Sequence, residues 1–146
     1  MRHFQFILLF VLSILFLFFY ITQKLTLEEQ AKLEEAQQYN AKVVELYQKG
    51  EAQKAVLYAE KAFNIRKEIL GEKHPNTLSS LNNLAFIYQA VGRLNEALPL
   101  YEKGYRLSLQ VLGEKHPDTL TSLNNLAGIY DSVGRLDEAL PLYEKG

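Results

Sequence analysis

Two histidines at a regular spacing are the side chains whose chemistry first needs an explanation. His74 and His116 lie 42 residues apart, and each stands in the run Gly-Glu-Lys-His-Pro. An imidazole can bind a metal ion or transfer a proton, but a metal site needs several ligands that converge on one point. Two side chains in successive copies of one loop do not converge. We therefore expect both histidines to cap helices or close loops, not to bind a metal.

The remaining composition argues against other catalytic chemistry. The chain has no cysteine, which excludes disulfides, thiol nucleophiles and cysteine-based zinc sites. It has no glycine-rich phosphate loop, and no nucleophile stands beside a plausible base. Lys and Arg number 16 against 17 Asp and Glu, without the clustered basic face that a nucleic-acid partner requires. The sequence therefore predicts no enzyme, no cofactor, no metal site and no nucleic-acid partner.

The loops that carry the histidines belong to a 42-residue repeat. Residues 71–104 align without gaps on residues 113–146, and 28 of the 34 pairs are identical. The same period, traced backwards, gives a divergent first copy in which Gly50 stands opposite Gly92. Such periods are typical of arrays in which each unit packs on its neighbours. We divide the array, residues 36–146, into units 36–72, 73–114 and 115–146, the last of which stops short.

Each unit reads as two helices joined by a glycine turn. In the second unit Pro75 suits the first helical turn, where a missing N–H costs nothing. Gly92 ends this first helix after about Val91 and makes the turn. A second helix is predicted from about Leu94 to Leu112, with a proline in its first two turns that could bend it without breaking it. The third unit repeats these signals.

This pattern resembles the tetratricopeptide repeat. The positions that carry the resemblance are Leu81, Leu84, Ala85, Tyr88, Gly92, Ala97, Tyr101 and Gly104, with their copies Leu123, Leu126, Ala127, Tyr130, Gly134, Ala139, Tyr143 and Gly146. The long period and the core HP-x-T-L…LNNLA…Y…G-R…EA-L-P-L-Y are similar to the kinesin light chain variety and to many bacterial signalling and scaffold arrays. The resemblance covers about residues 37–146. It implies an all-α, right-handed α-solenoid whose first helices line a concave groove that binds proteins or peptides.

The differences between the two near-identical units suggest which residues face a ligand. At 100° per residue, one face of the second unit's first helix carries its large apolar residues and forms the core. Four of the six differences lie on the opposite face. The resemblance to the tetratricopeptide repeat implies that this face lines the groove. The candidate ligand-binding residues are Asn40, Val44, Tyr47, Gln48, Ser79, Asn82, Phe86, Gln89, Ala90, Thr121, Asn124, Gly128, Asp131 and Ser132.

Phe86 favours a binding surface, because it is a large apolar residue on an otherwise polar face and aromatic anchors are typical of hot spots. The alternative is that recent duplicates drift wherever packing permits, so that solvent-facing positions differ first. Asn83 and Asn125 lie at the border of core and groove, and the resemblance suggests that they bond to a neighbouring helix or turn. The two Asn-to-Asp exchanges, Asn76 to Asp118 and Asn95 to Asp137, lie near helix starts, where either residue can act as a local cap.

The N-terminal segment predicts a membrane anchor. Residues 4–23 contain no charged side chain, and twenty helical residues reach about 30 Å, the thickness of a bilayer's hydrocarbon core. Residues 1–23 are thus predicted to hold one transmembrane helix. The alternative is a cleaved signal peptide, although the apolar run is long and no small-x-small site follows it. The flanking Lys and Arg lean slightly towards repeats on the extracytoplasmic side.

Residues 24–35 are predicted to form a linker and the start of the first helix. Thr26 and Glu29 have the spacing of a capping box, which predicts a helix that begins near Leu27.

The function predicted from the sequence is a membrane-anchored scaffold or adaptor that binds a protein or peptide in its groove. One alternative is the N-terminal sensor part of a larger signalling or effector protein. Another is a secreted repeat protein, if the N-terminus is cleaved. Self-association through exposed ends of the array is a further possibility.

Overall fold

The protein is all-helical over the residues that the structure, a computed structural model, describes. These are residues 2–144, and the side chains of residues 2–12, 22 and 25 lie outside the description. Within them the helices are α1 (Arg2–Gln48), α2 (Ala52–Leu70), α3 (Pro75–Ala90), α4 (Leu94–Leu112), α5 (Pro117–Ser132) and α6 (Leu136–Tyr143). The chain divides into two compact units, Met1–Glu34 and Glu35–Gly146.

The N-terminal unit consists of the first turns of α1, and the predicted helix start near Leu27 is wrong. Helix α1 runs through Leu27 without a break. The Thr26 hydroxyl donates to the carbonyl oxygen of Gln23 at 2.8 Å, so it bonds within the helix and does not cap one. The physical reason is that no glycine or proline interrupts this stretch, and a threonine inside a helix can satisfy its hydroxyl on the preceding turn.

Half of the predicted membrane span, residues 4–23, consists of residues whose side chains lie outside the description. The apolar side chains from Ile14 to Ile21 are described, and all are exposed. Within the described part of the chain, none of the helices contains an apolar stretch of the length that a membrane crossing requires. The anchor therefore stays a prediction from the sequence.

In the compact unit Glu35–Gly146 the helices pack in the order of the chain. Helix α2 packs on α3, α3 on α4, α4 on α5 and α5 on α6. The predicted second helix from Leu94 to Leu112 is confirmed as α4. Gly92 makes the predicted turn with φ 79°, in the left-handed region where glycine has no steric penalty. The helix pairs of the repeat are therefore present as the sequence predicts.

Two clusters of buried apolar side chains hold the pairs together. The first joins the last turns of α1 to α2 and α3 through Val43, Leu46, Ala55, Val56, Ala59, Leu84 and Ile87. The second joins α3, α4, α5 and α6 through Ala85, Ala97, Tyr101, Leu126, Ile129, Tyr130 and Ala139. Alanines with almost no exposed surface recur in both clusters, because a small side chain lets two helices approach closely.

A tyrosine, a glutamate and an arginine connect successive pairs. The Tyr88 hydroxyl donates to Glu60 of the preceding helix at 2.7 Å, and the Arg93 guanidinium lies 4.2 Å from the centre of the Tyr88 ring. Tyr130 makes the same contact with its own preceding helix. Burial, and then the hydrogen bond to Glu60, raises the pKa of Tyr88 to about 12. This contact fixes each first helix against the pair before it.

Candidate functional site

Three exposed apolar residues predicted for the groove, Val44, Tyr47 and Phe86, meet around one cavity between α1 and α3. This apolar cavity has a volume of about 270 Å³ and is lined by Val43, Val44, Tyr47, Gln48, Asn83, Phe86 and Ile87. The Tyr47 and Phe86 rings meet edge to face with their centres 4.8 Å apart. Val44, Tyr47 and Phe86 stay 51%, 44% and 40% exposed, so an apolar surface of three side chains faces solvent. Such a surface suits a large apolar side chain of a partner.

A second cavity lies among α3, α4 and α5, and seven of its eleven lining residues have polar side chains. This polar cavity has a volume of about 250 Å³ and is lined by Pro75, Leu78, Ser79, Asn82, Asn83, Phe86, Ser108, Leu112, Asp118, Thr121 and Asn125. Phe86 and Asn83 line both cavities, so the two are neighbours on one surface. Asp118 is the one charged residue among those that line either cavity, which leaves the surface weakly acidic.

Two of the predicted asparagines connect adjacent first helices. Nδ2 of Asn40 donates to Oγ of Ser80 at 3.1 Å, and Nδ2 of Asn82 donates to Oγ of Ser122 at 3.0 Å. The side-chain amide groups of Asn40 and Asn82 therefore each donate one hydrogen bond to a neighbouring helix of the array. Asn83 donates to Oδ1 of Asn40 at 3.5 Å, in agreement with the structural role predicted for it.

The other predicted residues lie apart from both cavities. Gln89 donates to Ser132 at 3.4 Å and accepts from the Tyr101 hydroxyl at 3.0 Å. Gly128 stands where the second repeat unit has Phe86, so the exposed phenylalanine does not recur in the third repeat unit. The residues that line neither cavity are Asn40, Gln89, Ala90, Asn124, Gly128, Asp131 and Ser132.

Ser108 and Asp118 line the polar cavity, although the sequence pattern did not indicate either as a groove residue. The position of Asp118 near a helix start suggests a cap, but His116 takes that role, because its Nδ1 accepts from the backbone N–H of Asp118 at 3.1 Å. His74 caps α3 in the same way, as predicted for these histidines. The signal that could have identified Ser108 is the residue at its position in the first unit, Arg66.

Comparisons with known proteins agree with this architecture. The family model described as tetratricopeptide repeat matches residues 46–110 and 78–146. The chain belongs to the tetratricopeptide repeat family. Repeats of this family are protein–protein interaction modules, and the predicted all-α solenoid of helix pairs is confirmed. The fold is of a scaffold or interaction type.

The chain is also similar in structure to kinesin light chain-like repeat proteins. A crystal structure of kinesin light chain nearly identical TPR-like repeats from Podosopora anserina is 33% identical, with a TM-score of 0.65, over 80% of this chain and 52% of that chain. A crystal structure of a variant of the same repeats is 32% identical with the same TM-score, over 80% and 51%. BtubC (BKLC) from P. vanneervenii shares the fold at 24% identity and a TM-score of 0.70, over 75% and 43%.

The chain thus spans about half the length of the solved chains it matches. No curated protein matches it.

Proposed function

We propose that this protein is a scaffold that binds a peptide or protein segment along the surface formed by α1, α3 and α5. The observation that carries the proposal is the apolar cavity, where Tyr47 and Phe86 form an exposed aromatic pair on two adjacent first helices. Packing within the array does not require three exposed apolar side chains around a cavity. A partner's apolar side chain would bury them.

A photo-crosslinking residue placed at Val44 tests this proposal in membranes of the source cells. Leu109 supplies the matched control, because it is also an exposed apolar residue, at 39%, but lies on a second helix and lines neither cavity. We expect discrete adducts from position 44 and none from position 109. Equal adducts from both positions would show that the surface is not a binding site.

The variant Phe86→Asp tests which side chain anchors the partner. Loss of an aromatic anchor typically weakens binding by about 2 kcal/mol or more, roughly 30-fold, so the adduct from position 44 should disappear. Circular dichroism of the same variant checks that the helices are intact. An undiminished adduct in a folded Phe86→Asp chain would exclude Phe86 as the anchor.

We also propose that residues 4–23 hold the array at a membrane, with the repeats on the extracytoplasmic side. The support is the uncharged stretch of twenty residues, whose length matches a bilayer's hydrocarbon core. Alkaline carbonate should leave the full chain in the membrane pellet and release a chain that starts at Lys24. Protease added to sealed cells should then reach the repeats. A mature mass that lacks the segment would instead show a cleaved signal peptide.

A further inference from the structure

Arg66 and Ser108 occupy the same position in successive repeat units. The two side chains differ greatly in size, so they fill the junction with the next unit to different extents. Nη1 of Arg66 donates to Oγ of Ser80 and to the carbonyl oxygen of Asn76, both at 3.0 Å. Ser80 also accepts from Asn40. The junction between the first and second units is therefore filled by a guanidinium that the chain itself supplies.

The next junction has Ser108 in the place of the arginine, and it keeps an asparagine, Asn82, and a serine, Ser122, at the positions of Asn40 and Ser80. Ser108 is short, and its Oγ lies 3.4 Å from Oγ of Ser122, the counterpart of Ser80. The space beside it is the polar cavity of about 250 Å³. Asp118 and Asn82, the counterparts of Asn76 and Asn40, line it.

Oγ of Ser122 donates to the carbonyl oxygen of Asp118 at 2.9 Å, so the counterparts of the two acceptors of Arg66 are bonded to each other here. Oδ1 of Asn82 is buried and has no hydrogen-bond partner among the described residues. At the first junction the corresponding Oδ1, of Asn40, accepts from Asn83. The exchange of Asn76 for Asp118 adds a negative charge, on a carboxylate that stays exposed with His116 at 3.8 Å. The first junction thus contains a cation, and the second contains a serine in its place beside the exposed carboxylate of Asp118.

We propose that the polar cavity receives the side chain of an arginine from the bound peptide, in the place that Arg66 fills one unit earlier. This inference rests on the proposed function and names a feature of its ligand. A guanidinium suits the site better than an ammonium, because its planar fork of five donors can reach several acceptors at once. The Phe86 ring lines the cavity and can stack on it. The partner then carries two recognition residues, an apolar residue that binds in the apolar cavity and an arginine that binds in the polar cavity beside it.

The test uses the full chain in detergent micelles, labelled with ¹⁵N-asparagine, and the probe N-acetyl-arginine amide. The citrulline analogue is the matched control, because it has nearly the same shape and no charge. We expect a saturable shift of the Asn82 side-chain signals with the arginine probe, and an affinity at least about tenfold weaker for citrulline.

Two substitutions locate the site. Ser108→Arg should abolish the response, since the chain then fills the cavity as it does at the first junction. Asp118→Asn restores the residue of the first junction and should weaken the arginine probe about tenfold through the loss of one charge-assisted contact.

An unchanged affinity in folded Ser108→Arg, or equal binding of arginine and citrulline, would overturn the inference. The crosslink from Val44 does not depend on this cavity, so it would survive such a result and leave the proposed function standing. Conversely, arginine binding without any crosslink from Val44 would refute the proposed function and would show an arginine site only.

Discussion

The contact between Asn82 and Gly104 explains why a glycine stands at position 104 and how the Asn82 amide reaches the next helix. A Cβ added at Gly104 would lie 2.7 Å from Oδ1 of Asn82, closer than real Cβ contacts, so the absence of a side chain on α4 lets the asparagine lie against it. From this position Nδ2 of Asn82 reaches Ser122 on the next first helix. Helical periodicity placed Asn82 on the groove face but could not show which neighbour its amide would reach, because that depends on how two helices pack.

The buried tyrosines should make the array less stable at alkaline pH. Burial, and then a hydrogen bond to Glu60 or Glu102, raises the pKa of Tyr88 and of Tyr130 to about 12 from the ordinary 10.0. A group whose pKa is higher in the folded state stabilises the fold fully below the unfolded pKa, and this contribution is lost as the pH rises through the folded value. We therefore expect the denaturant midpoint of the full chain to fall between about pH 10 and pH 12.

The variant Tyr88→Phe, Tyr130→Phe separates this effect from the titration of other groups. It removes both phenols and keeps the rings, so its midpoint should fall less over the same pH range. Burial also raises the pKa of Tyr101, so some decrease should persist. If the wild type and the variant fell equally, the two phenols would not be responsible.

The helices of the array begin and end where local chemistry dictates, but Pro99 and Pro141 lie inside helices. Pro75 and Gly92 bound α3 as the sequence predicts, because each residue suits the backbone at its own end of a helix. Pro99 lies inside α4, which continues through it to Leu112. The interior of a helix is unfavourable for proline, and the first unit has Leu57 at this position in a helix of equal length. Packing on α3 and α5 therefore outweighs the local preference.

Substitution of Pro99 by alanine should stabilise the protein. The residue is exposed, so little packing is lost, while a backbone N–H and helix propensity are gained. We expect the free energy of unfolding, measured by chemical denaturation, to rise by about 1 kcal/mol or more. Pro75→Ala is the control, since a proline in the first turn has no bond to restore, and it should change stability by less than about 0.5 kcal/mol. A less stable Pro99→Ala chain would mean that Pro99 itself contributes to packing.

At the scale of the whole array, each helix pair depends on its neighbour for burial. In α4, Tyr101 is 1% exposed and Leu98 is half-buried, because α5 packs over them. Their copies in α6, Tyr143 and Leu140, are 50% and 60% exposed, since no described helix packs over that face. Identical sequences therefore have unequal burial, which follows from the nearest-neighbour character of repeat arrays.

The last helix should open far more often than its copy. We expect backbone amides in α6 to exchange with deuterium at least about tenfold faster than those of residues 94–101 in native-state hydrogen exchange, because exchange reports the local opening free energy. Residues 94–101 serve as an internal control, since their sequence differs from the α6 segment by one residue, Asn95 for Asp137. Equal protection in the two segments would contradict this expectation.

Spacing along the chain was enough to predict the repeat, the helix pairs, the glycine turns, the capping histidines and the exposure of Phe86. These features are local or periodic, so they need no knowledge of which helices meet. The packed structure was needed to show that Tyr47 meets Phe86, and that Ser108 lines a cavity whereas Arg66 bonds to Ser80. Both depend on which side chains of different helices come together, and helical periodicity assigns a residue to a face without assigning it a neighbour.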